Sequence, residues 1–198
     1  MNYLAHAYLS GSNDALLVGN FIADHLRGND FSAFPAGVIE GIKLHRQIDT
    51  FTDAHPEFKQ AKRLFYEGYE KHSGILVDIY FDHLLGKYFD RFSPLGLAAF
   101  SQQVYRVYTS HSELLPTGSS RFLDYVIRNN IYHAYSEPEG ISTVLFHLSQ
   151  RIRHNVNLHE SMLLFNAHQD KMKLHFERFM NDIVTEFLPG KFSSPIKL

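Results

Sequence analysis

The chain has 198 residues, a formal net charge of −2 and no cysteine. Its length suits one domain with a substantial core, and its charge carries neither a nucleic-acid signature nor a polybasic membrane tail. Without cysteine, disulfides and thiolate metal sites are excluded, so any metal must be held by His, carboxylate and water.

The start, Met1-Asn-Tyr-Leu-Ala-His6, lacks a basic region and a long apolar one, so no signal peptide is read. No run approaches the roughly 18 apolar residues that span a membrane. The expectation is a cytoplasmic protein with no nucleic-acid or membrane partner.

Apolar spacing is helical almost throughout. A short helix is expected over Tyr3 to Leu9, stopped by Ser10-Gly11. Asn13 or Asp14 caps a second, to about Leu26, with Gly28 as its stop. After a loop from Phe31 to Pro35, Ala36 to about Phe51 is amphipathic. Pro56 opens a helix over Glu57 to Tyr69. Gly74 precedes one over Ile75 to Phe89, and Ser93-Pro94 start another to about Tyr108. Leu115-Pro116-Thr117-Gly118 is a loop before Phe122 to Ile131. Pro138 opens a helix to about Arg153, and a long last helix covers Leu158 to Phe187, ended by Pro189-Gly190. No repeat or linker breaks the pattern. One all-α bundle over residues 1–198 is the favoured architecture.

Thirteen histidines are many for this length, but their position relative to carboxylates matters more than their number. His45, Asp49 and Asp53 follow one another at helical spacing, so they stack on one face. Such a face either holds a divalent metal or is ordinary solvated polarity. Asp49 can pair with Arg46 or Lys43, and Asp53 can help cap the helix led by Pro56. Asp24, in a last turn, opposes the helix dipole, which points to a cationic or donor partner, a surface Asp being the alternative. Asp78, Asp82 and His83 lie on a helix apolar nearly all round. Buried carboxylates there need pairing, hydrogen bonds or metal, and a structural salt-bridge network is the alternative to a ligand set. His6, in an apolar helix, is ordinarily a core residue with one hydrogen bond. Phosphate loops, G-x-S-x-G and H-E-x-x-H are absent, which favours metal-activated water over a side-chain nucleophile.

Four blocks together resemble the acyl carrier protein phosphodiesterase family. They are Asn2-Tyr-Leu-Ala-His6; Gly19-Asn20-x-x-x-Asp24 with Gly28; His45-Arg46-x-Ile48-Asp49-x-x-Thr52-Asp53; and Asp78-x-x-x-Asp82-His83. The resemblance runs in order from Met1 to at least Leu85. It implies hydrolysis of the phosphodiester joining 4′-phosphopantetheine to a serine of holo-acyl carrier protein. It also implies a divalent-metal requirement, usually Mn²⁺, and a distant HD-domain-like fold. The usual HD order has a contiguous His-Asp pair, whereas here the pair is reversed as Asp82-His83, so ligand roles do not transfer from that pattern.

Assigned by chemistry instead, His45, Asp49, Asp82 and His83 form the expected ligand set, with His6 and Asp24 as further ligands or their supports. Arg46, Arg27 or Lys43 would steady the phosphoryl oxygens. Two basic clusters, Lys59 with Lys62 and Arg63, and Arg151 with Arg153 and His154, are candidate docking surfaces for an acidic carrier protein, or ordinary solvated faces. An HD-like phosphohydrolase acting on a nucleotide or small phosphodiester, and a non-catalytic helical binding module, remain alternatives.

Overall fold

The computed structural model describes residues 2–152, 156–191 and 196–198. All regular structure among them is helical. Twelve α-helices are α1 (Tyr3–Leu9), α2 (Asp14–Ile22), α3 (Ala36–Ala54), α4 (Pro56–Arg63), α5 (Tyr66–Tyr69), α6 (Ser73–Lys87), α7 (Gly96–Ser110), α8 (Thr117–Arg128), α9 (Ile131–Ala134), α10 (Pro138–Ser149), α11 (Ser161–Ala167) and α12 (Gln169–Phe187). Among the described residues, no helix is long and apolar enough to cross a membrane.

Local chemistry explains the starts. The Asn2 side chain accepts from the Tyr3 N–H at 2.9 Å, and the Asn13 side chain from the Leu16 N–H at 3.1 Å. Such caps satisfy amides that the helix itself leaves free, each contributing about 1 kcal/mol. Pro56 and Pro138 sit in first turns, where a missing N–H costs nothing. Asp53 does not cap α4. α3 runs on through it to Ala54, and Nδ1 of His55 accepts from the Glu57 N–H at 3.2 Å instead.

Several expected helices are divided, each by a local backbone departure. α2 tightens into a 3₁₀ turn over Ala23–His25. The segment expected over 57–69 breaks after Arg63, and Gly68 has φ +84°. Asn130, at φ +43°, separates α8 from α9, and His168 separates α11 from α12. The expected helix from Pro138 ends at Ser149.

The central helix is α6, as its all-round apolar sequence requires. Leu76, Val77, Tyr80, Phe81 and Leu85 on it are all fully buried. Phe65, Tyr80 and Phe165 stack nearly parallel, with centroids 5.3 and 4.3 Å apart. Phe81 meets Phe176 and Phe179 of α12 at 5.4 and 5.2 Å.

α2 and α3 approach more closely than ordinary side chains permit. A Cβ added at Gly19 would collide with the carbonyl oxygen of Val38, and one at Gly41 with that of Leu16. The glycines therefore let two backbones touch, which sets the polar residues of α2 directly against those of α3.

Candidate metal centre

Where α1, the end of α2 and α3 meet, four of the expected residues converge. His6 comes from α1, Asp24 from the 3₁₀ turn, and His45 and Asp49 from successive turns of α3. The rings of His6 and His45 stack at 4.2 Å with 21° between their planes. Nε2 of His45 lies 3.1 Å from Oδ1 of Asp24 and 3.1 Å from Oδ2 of Asp49. Nε2 of His6 lies 3.2 Å from Oδ1 of Asp49 but is buried and makes no hydrogen bond. Behind the rings, Oδ1 of Asn20 is 2.8 Å from Nδ1 of His6 and 2.9 Å from Nδ1 of His45.

Ligand atoms of His6, His45 and Asp49 all lie within 4.8 Å of one another, a grouping able to hold a metal ion. The donor set fits a divalent cation: two imidazole nitrogens and carboxylate oxygen, with one buried nitrogen aimed into the group and lacking a partner.

The electrostatics follow from this crowding. Burial pulls the His45 imidazole down, but its hydrogen bonds to Asp24 and Asp49, with their charge, outweigh that and raise it to about 9. Burial pushes Asp24 and Asp49 up, yet the imidazole contacts hold both below the usual carboxylate range. His6 is pulled down by burial and, beyond that, by the neighbouring His45 charge, despite its approach to Asp49. Without metal, the cluster is an imidazolium between two carboxylates with a neutral imidazole beside it.

These groups line one wall of a cleft of about 440 Å³. Thr52, Asp53 and Asp78 extend its polar side, and Phe122, Tyr125, Tyr135 and Leu148 supply an apolar side. His147, near the end of α10, and Arg151, in the turn just past it, also line it.

The remaining expected residues lie elsewhere. Asp82 is fully buried outside the cleft lining, where its carboxylate accepts from the Leu4 N–H at 2.7 Å and the Ala5 N–H at 3.2 Å. It is thereby the anchor of α1, the helix that carries His6. Burial raises it to about 7, against the lowering by those two amides. His83 donates from Nδ1 to the Tyr135 carbonyl at 2.8 Å and meets the Phe165 ring edge-on at 5.6 Å. Burial lowers its pKa. Arg46 donates to the Asn29 side chain and the Gly28 carbonyl, both at 2.8 Å, and covers the Phe31 ring at 4.8 Å. That guanidinium holds the loop after α2 and does not line the cleft. The residue that sequence reasoning left out is Asn20. Its place on the Asp24 face was readable, but its reach to two imidazoles was not.

Of the docking candidates, Lys59 donates to the Ala54 carbonyl at 2.8 Å, so it serves the end of α3. Arg153 and His154 lie outside the described residues.

The family model described as acyl carrier protein phosphodiesterase matches residues 1–183. The chain belongs to that family. Relatives named acyl carrier protein phosphodiesterase from Salmonella agona (strain SL483), Salmonella newport (strain SL254) and Salmonella heidelberg (strain SL476) are each 32% identical over 183 residues. In each case that covers 90% of this chain and 93% of the relative. No solved structure matches the chain. Family membership thus spans both the cluster and the cleft around it, and gives the imidazole–carboxylate wall a phosphodiester context.

Proposed function

We propose that this protein hydrolyses the phosphodiester between 4′-phosphopantetheine and a serine of holo-acyl carrier protein. The products are apo-carrier protein and 4′-phosphopantetheine. The observation that carries this reading is the convergence of two Nε2 atoms and two carboxylates in the cleft of a member of this family.

His6, His45 and Asp49 would hold the divalent cation, taken as Mn²⁺ from the family resemblance, with Asp24 supporting His45 or joining the ligands. When bound, such an ion lowers the pKa of water and offsets charge on phosphoryl oxygens. The protein's own residues do the rest. Asp24, Asp49, Asp53 and Asp78 make the cleft rich in carboxylates, which repels an anionic diester unless cations balance them. Among the described residues, Arg151 is the arginine that lines the cleft, so it takes the oxygen-steadying role expected of Arg46. The apolar side, Phe122, Tyr125 and Leu148 among others, excludes water from the pantetheine arm.

A gel-shift assay of holo- to apo-carrier protein conversion tests the reading. Conversion with Mn²⁺ and none after chelation is the expected result. Metal binding with turnover of small phosphodiesters alone would instead assign a general phosphohydrolase. Neither metal binding nor turnover would leave a binding module.

A further inference from the structure

Asn20 is buried between α1 and α3, and both ends of its amide are engaged. Its Oδ1 faces Nδ1 of His6 at 2.8 Å and Nδ1 of His45 at 2.9 Å. Its Nδ2 faces the His6 carbonyl at 3.1 Å and Oγ of Ser10 at 2.9 Å. A backbone carbonyl only accepts, so the atom facing it must be the NH₂. The Ser10 hydroxyl agrees: its hydrogen goes to the same carbonyl at 2.9 Å, leaving its oxygen to accept from Asn20. The reversed amide would set oxygen against oxygen at 3.1 Å. Oδ1 therefore faces the two imidazoles, and it too only accepts. Both Nδ1 atoms must carry hydrogen.

We infer that Asn20 is a positioning residue that fixes His6 and His45 together as Nδ1–H imidazoles, so that both Nε2 lone pairs serve one cation. The inference rests on the metal-centre reading of the same cluster. Free neutral histidine prefers its hydrogen on Nε2, so the protein must impose this form. In the imposed form, the unpartnered Nε2 of His6 and the carboxylate oxygens beside it are all acceptors. Acceptors gathered this way repel one another until a cation sits among them. One carbonyl oxygen, oriented by the backbone of α1, thus couples ligands from two helices.

Nitrogen-15 NMR of the imidazoles in the metal-free full chain tests this without reference to catalysis. His6 is read at neutral pH, and His45 at about pH 10, above its raised pKa. Both should show Nδ1–H with a bare Nε2; an Nε2–H form in either ring would overturn the inference, with no variant needed. Asn20→Leu should release the tautomers and weaken Mn²⁺ binding by about 10–100-fold. Unchanged tautomers or unchanged Mn²⁺ affinity in a folded Asn20→Leu protein would also overturn it. Expected spectra in a chain that never releases phosphopantetheine would refute the proposed activity and leave this assignment standing.

Discussion

His6 and His45 belong to different helices, yet their rings stack at 4.2 Å and present Nε2 to the same carboxylate, Asp49. Each ring thus depends on the other's helix for its place. Removing one imidazole should leave the bundle intact, because neither belongs to the aromatic core around α6. His45→Ala is expected to keep its helical circular dichroism while losing Mn²⁺ binding and Mn²⁺-dependent turnover. Full activity in that variant would remove His45 from the site.

The raised pKa of His45 makes metal binding a competition with a proton. Below about 9 the metal-free protein carries an imidazolium there, and the cation must displace its proton. His6, lowered by burial, and the two lowered carboxylates add no further proton near neutrality. Affinity should therefore rise roughly tenfold per pH unit between about pH 7 and 9, then level off. In the absence of metal the sign reverses. The stability from a raised His45 is fully present below its unfolded pKa and lost as pH rises through about 9. Calorimetry in buffers of different ionisation enthalpy should count about one proton released per ion bound near neutrality.

Asp82 serves the centre from a distance. Its carboxylate satisfies the first amides of α1, which the helix cannot satisfy internally. Asp82→Ala strands two buried N–H groups, at a cost of about 1–3 kcal/mol each. The expected outcome is a lowered denaturation midpoint together with weaker Mn²⁺ binding, because α1 carries His6. His45→Ala, which removes a ligand itself, should instead abolish Mn²⁺ binding outright. Weakened binding at wild-type stability would instead argue that Asp82 acts on the metal directly.

That contrast marks how far the sequence could be read. Helical periodicity placed nearly every helix, and the i, i+4 spacing put His45 and Asp49 on one face because that spacing is intrinsic to the helix. The unfavourable dipole position of Asp24 pointed to a partner, and the partner is His45. Asp82 was legible as a buried acid needing hydrogen bonds, but not as one served by main-chain amides of α1. Such amides leave no trace in residue identity. Arg46 had the right charge for phosphate, yet Asn29, Gly28 and Phe31 claim it. Breaks such as those at Asn130 and His168 carry no proline or glycine to announce them.

Close contact of α2 with α3 should be sensitive to one methyl group. Gly41→Ala places its Cβ against the Leu16 carbonyl, where neither backbone can yield cheaply. The helices must separate, at a cost of about 1–3 kcal/mol. Separation moves Asn20 and Asp24 away from His45, so Mn²⁺ affinity should fall along with the urea midpoint. Gly74→Ala, which meets nothing nearby, is the control: it should leave Mn²⁺ affinity unchanged and the urea midpoint unchanged or slightly raised.

Arg151 offers the sharpest division between holding metal and holding substrate. It lines the cleft from the turn after α10, whereas the proposed ligands come from α1, α3 and the turn after α2. Its loss should therefore leave Mn²⁺ affinity unchanged. A guanidinium on phosphoryl oxygens makes charge-assisted hydrogen bonds, weakened here by solvent exposure, so Arg151→Ala should lower kcat/KM roughly tenfold. Arg151→Lys keeps the charge but not the two-pronged geometry and should recover only part of the loss. If the contact is to the ground-state diester, KM rises while kcat holds; if it forms as charge develops on the phosphoryl oxygens while the serine oxygen departs, kcat falls. Inhibition by free 4′-phosphopantetheine reads the same contact independently, and it should weaken in Arg151→Ala. Unaltered kcat/KM and unaltered product inhibition would return the oxygen-steadying role to the metal alone.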